Sequence, residues 1–252
     1  MVRMIDLSHE ETVAIIKLNR GVTNAINQEC IIELSKIIQN LKSDPEVAGL
    51  VLSSTNDKFF SIGFDIPELY GLTKEDFRHF YKSFNQVCMD LYTIPKPSVA
   101  AITGHAIAGG TILSLCCDYR FIANERKLMG LNEIKLGVPV PYLTDCILQS
   151  LVGTRIARDV IDSGEFYEPE KLFQMGMVDQ VLPQADVLPR SIDKARLLGS
   201  MSKKAFEIIK RNRVETIETR ILTQWEVKQE IFIELWYSKK ARRQLKEAME
   251  KF

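Results

Sequence analysis

Residues 97–118 read Pro-Ser-Val-Ala-Ala-Ile-Thr-Gly-His-Ala-Ile-Ala-Gly-Gly-Thr-Ile-Leu-Ser-Leu-Cys-Cys-Asp. The short apolar run Val99 to Ile102 has the pattern of a buried strand, and Gly104 breaks it. Ala106 to Leu115 is small, apolar and compatible with a helix, with Gly109 and Gly110 in its first turns. Each glycine costs a helix interior about 1 kcal/mol relative to alanine. A strand, a tight turn and a glycine-rich helix start bring bare backbone N–H groups to a point where another group approaches closely. That group is either an anion held by the backbone or the sheet itself, packed tightly against the helix. The stretch alone leaves both open. A second candidate is Glu133, the one carboxylate of the loop-like segment 128–141. Its apolar neighbours Leu131, Ile134 and Leu136 would desolvate it and raise its pKa, which suits proton transfer near neutral pH. The competing reading is a solvated loop carboxylate.

Other chemistries find little support. Lys plus Arg and Asp plus Glu balance at 33 each, so no global charge draws the chain to nucleic acid or an anionic membrane. No apolar run reaches the roughly 18–20 residues of a membrane span. The N-terminal stretch lacks a signal-peptide core and turns acidic at Glu10 and Glu11, so a cytoplasmic location is expected. The five cysteines, Cys30, Cys88, Cys116, Cys117 and Cys146, are odd in number and lie mostly in apolar helical contexts. Reduced core thiols are expected. His9, His79 and His105 are scattered, and no Cys-x-x-Cys occurs, so no metal site is expected.

The elements that position these residues follow from periodicity. Val13 to Leu18 and Gly49 to Ser53 read as strands. Between them Gln28 to Leu41 carries Ile31, Ile32, Leu34, Ile37, Ile38 and Leu41 at helical spacing, ended by Ser43-Asp-Pro45. This is a βαβ unit with parallel strands. Lys58 to Leu69 reads as a loop after a strand. Lys74 to Tyr92 puts Phe77, Phe80, Tyr81, Phe84, Val87, Cys88 and Leu91 on one helical face, a stripe that belongs in a core. Asp118 to Ala123 is a further strand. Tyr142 to Leu151, Thr154 to Ser163 and Pro169 to Met175 read as helices, and Val178 to Pro183 as a short apolar segment. From about Asp186 every segment is helical in pattern. The expected organisation is an α/β core over 1–190 and a helical region over 191–252.

Three separated motifs carry a resemblance. Phe60-Ser-Ile-Gly-Phe-Asp-Ile66 resembles the Phe-Ser-x-Gly-x-Asp-Leu loop of the crotonase (enoyl-CoA hydratase/isomerase) family. Pro97 to Gly110 is similar to its Pro-x-(Val/Ile)-Ala-Ala-(Val/Ile)-x-Gly-x-(Ala/Cys)-x-Gly-Gly signature, with Cys117-Asp118 as the matching Cys-Asp. Gly176-Met-Val-Asp-Gln-Val181 is similar to its Gly-Leu-Val-(Asp/Asn)-x-Val. The resemblance implies an α/β fold: a crotonase-type spiral of ββα units with a C-terminal helical region that covers the acyl pocket and builds the oligomer contact. It implies a homotrimer or a dimer of trimers and an acyl-CoA thioester as partner. No separate cofactor is implied, since coenzyme A belongs to the substrate. The amides of Phe64 and Gly109 would hold the thioester oxygen and stabilise an enolate. Ser61, Ile62, Gly63, Asp65, Gly110, Ile112 and Pro141 would belong to the substrate site, the backbone of Ser61 and Ile62 facing the adenine. Phe64 stands where the family has a small residue and would narrow the acyl pocket. Arg20 and Lys58 would either meet the nucleotide phosphates or lie on a solvated face.

The same resemblance divides the possible reactions. Hydratases of the family use two glutamates. The first would fall on Ile112, which moves no proton, and the second on Glu133. A backbone amide that holds the attacking water would fall on Pro141, which has no N–H. One glutamate suits a Δ3-Δ2-enoyl-CoA isomerase, in which a single carboxylate removes a proton from C2 and returns it to C4. Met129-Gly-Leu-Asn-Glu-Ile-Lys-Leu-Gly137 is similar to the Gly-Leu-Asn-Glu-x-x-Leu-Gly segment of the mitochondrial-type isomerases. The expectation is movement of the double bond of 3-enoyl-CoA to 2-trans-enoyl-CoA in fatty-acid β-oxidation. A weak hydratase, a decarboxylase, a thioesterase or a non-catalytic acyl-CoA-binding member are the alternatives.

Overall fold

The structure, a computed structural model, describes residues 3–250. Its strands are β1 (Ile5–Glu10), β2 (Val13–Leu18), β3 (Gly49–Ser54), β4 (Phe59–Ser61), β5 (Ser98–Ile102), β6 (His105–Ile107), β7 (Tyr119–Ala123), β8 (Met129–Gly130), β9 (Phe166–Tyr167) and β10 (Gln180–Leu182). Its helices are α1 (Gln28–Ser43), α2 (Ile66–Tyr70), α3 (Lys74–Thr93), α4 (Gly109–Leu115), α5 (Tyr142–Ser163), α6 (Pro169–Gln174), α7 (Gln184–Gly199), α8 (Lys203–Thr223), α9 (Trp225–Trp236) and α10 (Lys239–Met249), with a 3-10 turn at Glu133–Leu136.

The strands form two sheets, in the orders β1-β2-β3-β5-β7-β10 and β4-β6-β8-β9. From β2 to β10 the first sheet is parallel. The chain repeats one step: a strand in the first sheet, a short strand in the second, then a helix. β3-β4-α3 (with the single turn α2 before α3), β5-β6-α4 and β7-β8-α5 are three such steps, which make the ββα spiral of the crotonase fold. Strands β2, β3, β5 and β7 of the first sheet are covered on both faces, which is why they are near-continuous apolar runs rather than alternating ones. On one face Leu50, Leu52, Ala100 and Ile102 meet the α1 and α3 stripes. On the other, Val51, Val99, Ala101 and Phe121 meet Val187, Ile192 and Ala195 of α7.

Local signals explain the main helices. Asn27 caps α1 by accepting the Cys30 N–H, and Thr73 caps α3 by accepting that of Asp76. Such a cap is worth about 1 kcal/mol. All seven residues of the α3 stripe are buried. The two helices read over 142–163 are the halves of α5, separated at Gly153, whose φ of 78° interrupts the helix.

Several expectations need correction. Ala106 and Ile107 belong to strand β6, so the helix begins only at Gly109. The segment 58–69 is not a plain loop: it carries β4 and α2. Segment 128–141 carries β8 and the 3-10 turn. Strand β1 was not anticipated; it is a polar, largely exposed edge strand paired antiparallel with β2. The boundary expected at residue 190 falls inside α7, which packs on the sheet. Among the described residues no helix is long and apolar enough to cross a membrane.

Candidate active site

Two backbone segments meet beneath one cavity. The first is Ile62–Asp65. Ile26 forms an isolated parallel bridge with Phe64: its N–H donates to the Gly63 carbonyl at 2.8 Å, and its carbonyl accepts from Asp65 at 2.9 Å. In a parallel pairing of this kind the bridged residue's own N–H faces the opposite side. The Phe64 N–H therefore faces away from Ile26, and among the described residues it has no acceptor. The segment is held by buried Asn24, which donates to Ser54 Oγ and the Phe59 carbonyl. Ser61 Oγ donates to the Asn24 carbonyl at 2.7 Å and accepts the Gly63 N–H at 3.1 Å.

The second segment is the β6–α4 junction. Ala108 has φ 47° and ψ −112°, a conformation that costs a non-glycine residue on the order of 1–3 kcal/mol. Its neighbours hold it there. Its N–H donates to the Gly130 carbonyl and its carbonyl accepts from Ile112, both at 2.9 Å. Thr111 Oγ1 ties the carbonyls of Ala106 and Gly130. The next N–H, that of Gly109, opens α4 and has no acceptor among the described residues.

The glycines divide the two readings left open by the sequence. Gly63 has φ +92°, and a Cβ there would lie 2.8 Å from the Gly109 nitrogen. A Cβ on Gly110 would overlap the Ser61 carbonyl. Gly63 and Gly110 thus serve close packing between the segments, while Gly109 supplies a free N–H. Consistent with this, Phe64, Gly109, Ile62, Asp65, Ile112 and Pro141 line the cavity, whereas Ser61, Gly63 and Gly110 stand behind its wall.

The cavity measures about 260 Å³. Arg20, Thr23 and Asp65 line its polar side. Arg20 bonds Asp65 at 2.6 Å and Glu68 at 3.0 Å, so its charge is engaged by carboxylates at the rim. Lys58 lies 5.8 Å from the Phe59 ring centre and is not among the lining residues. Asp65 also caps α2 by accepting the Glu68 N–H. Much of the rest of the lining is apolar: Ile112, Leu136, Val138, Phe232 and Trp236 of α9, and Ala248 and Met249 of α10. The Phe64 ring packs edge-on against Phe80 and Phe84 at centroid distances of 4.9 and 4.8 Å.

Glu133 opens the 3-10 turn and lines the cavity at 5% exposure. Its Oε2 is buried with no partner among the described residues. Burial raises its pKa to about 7, against a smaller opposing pull from a hydrogen bond to its own backbone. The shift therefore comes from desolvation, not from a like charge. Leu131 is fully buried, as expected, but Ile134 is 47% exposed and takes no part in shielding the carboxylate. In the turn, Ile134 points outward against Gly164. All five cysteines are buried and free, and among the described residues no His, Cys, Asp and Glu cluster could hold a metal ion.

The family model described as Enoyl-CoA hydratase/isomerase matches residues 8–252. The chain belongs to the enoyl-CoA hydratase/isomerase family. Within it, this crotonase-family chain is 33% identical over 176 residues to mouse enoyl-CoA delta isomerase 1, mitochondrial, covering 69% of this chain and 61% of the mouse protein. It is 29% identical over 209 residues to crotonyl-CoA hydratase of Syntrophomonas wolfei, covering 80% of each. The crystal structure of human mitochondrial delta3-delta2-enoyl-CoA isomerase superposes with a TM-score of 0.95 at 25% identity, over 99% of this chain and 98% of that one. The alignment with the mouse isomerase thus spans less than two thirds of that protein's length.

Sequence reasoning missed several lining residues of this family site. Ala108 gives no sign in the sequence of its backbone strain. Phe232 and Trp236 stand four residues apart, one helical turn, and that spacing was the available signal. Asn132, whose Oδ1 is buried and unpartnered beside Glu133, was read only as part of a motif.

Proposed function

We propose that this chain is a Δ3-Δ2-enoyl-CoA isomerase, converting 3-enoyl-CoA to 2-trans-enoyl-CoA in fatty-acid breakdown. The observation that carries this reading is Glu133: a carboxylate buried in an apolar cavity, with one oxygen unpartnered and a pKa raised to about 7. Among the described residues the only other carboxylate lining the cavity, Asp65, is ion-paired with Arg20.

The thioester oxygen is placed between the N–H groups of Phe64 and Gly109. Glu133 removes a proton from C2, and the C–H electron pair moves into the C1–C2 bond. The charge delocalises onto the thioester oxygen, where the two amides receive it. A donor of this kind is worth on the order of 10²–10³ in rate. The conjugated system then takes the same proton back at C4, leaving the double bond between C2 and C3 and Glu133 ionised again. A pKa near neutrality serves both halves, because the group must accept and return one proton. Hydration would need a second proton carrier or a water-holding amide at the positions of Ile112 and Pro141. Isoleucine carries no proton, and proline has no N–H.

The assembly proposed is a trimer or a dimer of trimers in the cytoplasm. Ile208, Ile209, Leu222, Val227, Ile231 and Leu235 of α8 and α9 are exposed at 40% or more, apolar surface of the kind that marks interfaces. Light scattering on the purified chain checks the stoichiometry.

The deciding experiment incubates the protein with 3-enoyl-CoA and follows the ultraviolet absorbance of the conjugated 2-enoyl product, with Glu133→Gln in parallel. Conversion by the wild type and its loss in the variant are expected. Efficient hydration of 2-enoyl-CoA with no turnover of the 3-enoyl isomer would overturn the reading in favour of a hydratase. Tight acyl-CoA binding without turnover of either substrate would make the chain a non-catalytic member.

A further inference from the structure

The cavity is lined by polar Arg20, Thr23 and Asp65 and by the aromatic rings of Phe232 and Trp236. If the thioester oxygen sits at Phe64 and Gly109 and C2 to C4 face Glu133, the coenzyme A moiety leaves past Arg20, Thr23 and Asp65. The acyl chain beyond C4 must then run towards Phe232 and Trp236. Those two side chains are only 2% exposed, and both are fixed from behind. The Trp236 indole stacks on Phe77 with centroids 4.4 Å apart and planes 16° apart. Phe232 stacks on Tyr81 at 4.1 Å and 11°. Phe64 approaches Trp236 edge-on at 6.4 Å, linking the wall to the backbone donor. Phe77 and Tyr81 belong to the buried face of α3, so packed core rings back the indole. Moving it would break the stacks as well as the packing.

We propose that Trp236, braced by Phe77, is the stop that sets acyl-chain length in this site. The proposal rests on the reading of the cavity as an acyl-CoA site. Enclosure supports it: Phe232 and Trp236 are each 2% exposed where they line the cavity, so a chain growing towards them meets packed rings. Met249, flexible and half-buried on the flank, can adapt to small differences in chain shape. The stacked indole cannot.

The test measures calorimetric binding of saturated butanoyl-, hexanoyl-, octanoyl-, decanoyl- and dodecanoyl-CoA to the full chain and to Trp236→Ala and Trp236→Leu. Saturated esters bind without turnover, so the result is independent of which reaction the enzyme performs. Each methylene that gains apolar contact is worth about fourfold in affinity. Wild-type affinity should climb with chain length at first and then level or fall before dodecanoyl-CoA. Removal of the indole should raise the ratio of dodecanoyl to hexanoyl affinity at least tenfold, with the turnover ratio of the corresponding 3-enoyl esters moving the same way. Trp236→Leu keeps apolar contact with Phe77 and serves if the alanine variant does not fold. An unchanged ratio in a folded variant overturns the proposal, as does a wild type whose affinity still climbs through dodecanoyl-CoA. Absence of binding by every ester removes the acyl-CoA reading itself, and the proposal with it.

Discussion

Glu133 and Asp118 are both largely shielded from water: the Glu133 residue is 5% exposed and the Asp118 side chain 6%. Their partners differ. Asp118 accepts from the Ser98 N–H and Oγ at 2.9 and 3.0 Å and pairs with Lys210 at 2.8 Å and with Arg213. It closes the end of strand β5 onto helix α8. Lys210 is itself 1% exposed; burial lowers its pKa, and Asp118 opposes that shift. Among the described residues Glu133 has no cation beside it and one oxygen without any partner. Burial with partners makes a carboxylate a fixed anchor. Burial without them makes it a group that holds its charge weakly, as a proton carrier must.

The largest expected effect separates the two on activity. Glu133→Gln keeps the shape and removes the titrating group, so kcat for the isomerisation should fall by roughly 10²–10⁴, read from the absorbance assay. The next largest separates them on stability. Asp118→Asn leaves Lys210 buried without a counter-charge, which should cost about 3–5 kcal/mol, read from urea denaturation. If Asp118→Asn proved as stable as wild type while Glu133→Gln stayed active, the distinction between anchor and proton carrier would fail.

Glu133 was legible because its surroundings are local: the motif, Leu131 and Leu136 lie within a few residues of it. Even so, Ile134 was assigned to the wrong side, because a 3-10 turn directs each side chain by a geometry that apolar composition does not reveal. The Asp118 cluster was not legible at all. Lys210 lies 92 residues further along the chain, and a lysine in a helix of low apolar content reads as solvated. The same contrast holds for the fold. Strands β2, β3, β5 and β7 and helices α1, α3 and α5 declare themselves by long apolar runs or helical spacing. Strand β1 does not, since an edge strand need not bury its side chains, and its turn places Glu11 at φ 53° with no glycine to announce it. β4, β6 and β8 are two or three residues long, too short for a period to show. Gly109 was found through its motif, but the strained Ala108 that positions it follows only from the tertiary hydrogen bonds.

A smaller effect reports on the proton of Glu133. Its folded pKa of about 7 lies above the unreacted carboxylate value of 4.5. Between those pH values the folded state holds a proton that the unfolded chain has released. Stability from this group is therefore fully present below about pH 4.5, declines as pH rises towards 7, and is lost above it. The span corresponds to about 3 kcal/mol at most. Glu133→Gln should match wild type closely at pH 5 and be the more stable protein at pH 8, in paired denaturation curves. Wild-type kcat/KM should rise with pH through an apparent pKa near 7, since only the carboxylate accepts the C2 proton. A stability difference that is flat with pH would mean that folding leaves the Glu133 pKa unshifted, and the contrast drawn with Asp118 would fail.

The smallest expected effect asks whether the anchor needs its charges. In the double variant Asp118→Asn with Lys210→Met, neither residue leaves a buried charge. The asparagine carbonyl can still accept from Ser98, and methionine fills the path of the lysine stem. Arg213, half exposed, recovers its hydration. Replacing a buried ion pair with groups of similar volume is often neutral or stabilising, because each charge regains no more from its partner than it lost on leaving water. The double variant should therefore lie within about 1 kcal/mol of wild type, although Asp118→Asn alone is severely destabilised. Denaturation of all four corners of the cycle gives the coupling directly. Restoration would show that the network fixes the junction of strand β5 and helix α8 through satisfied hydrogen bonds, with its charges replaceable as a set. Simple addition of the two single losses would show that the charges themselves hold the junction. No such exchange exists for Glu133, whose function in the proposed reaction requires a group that titrates.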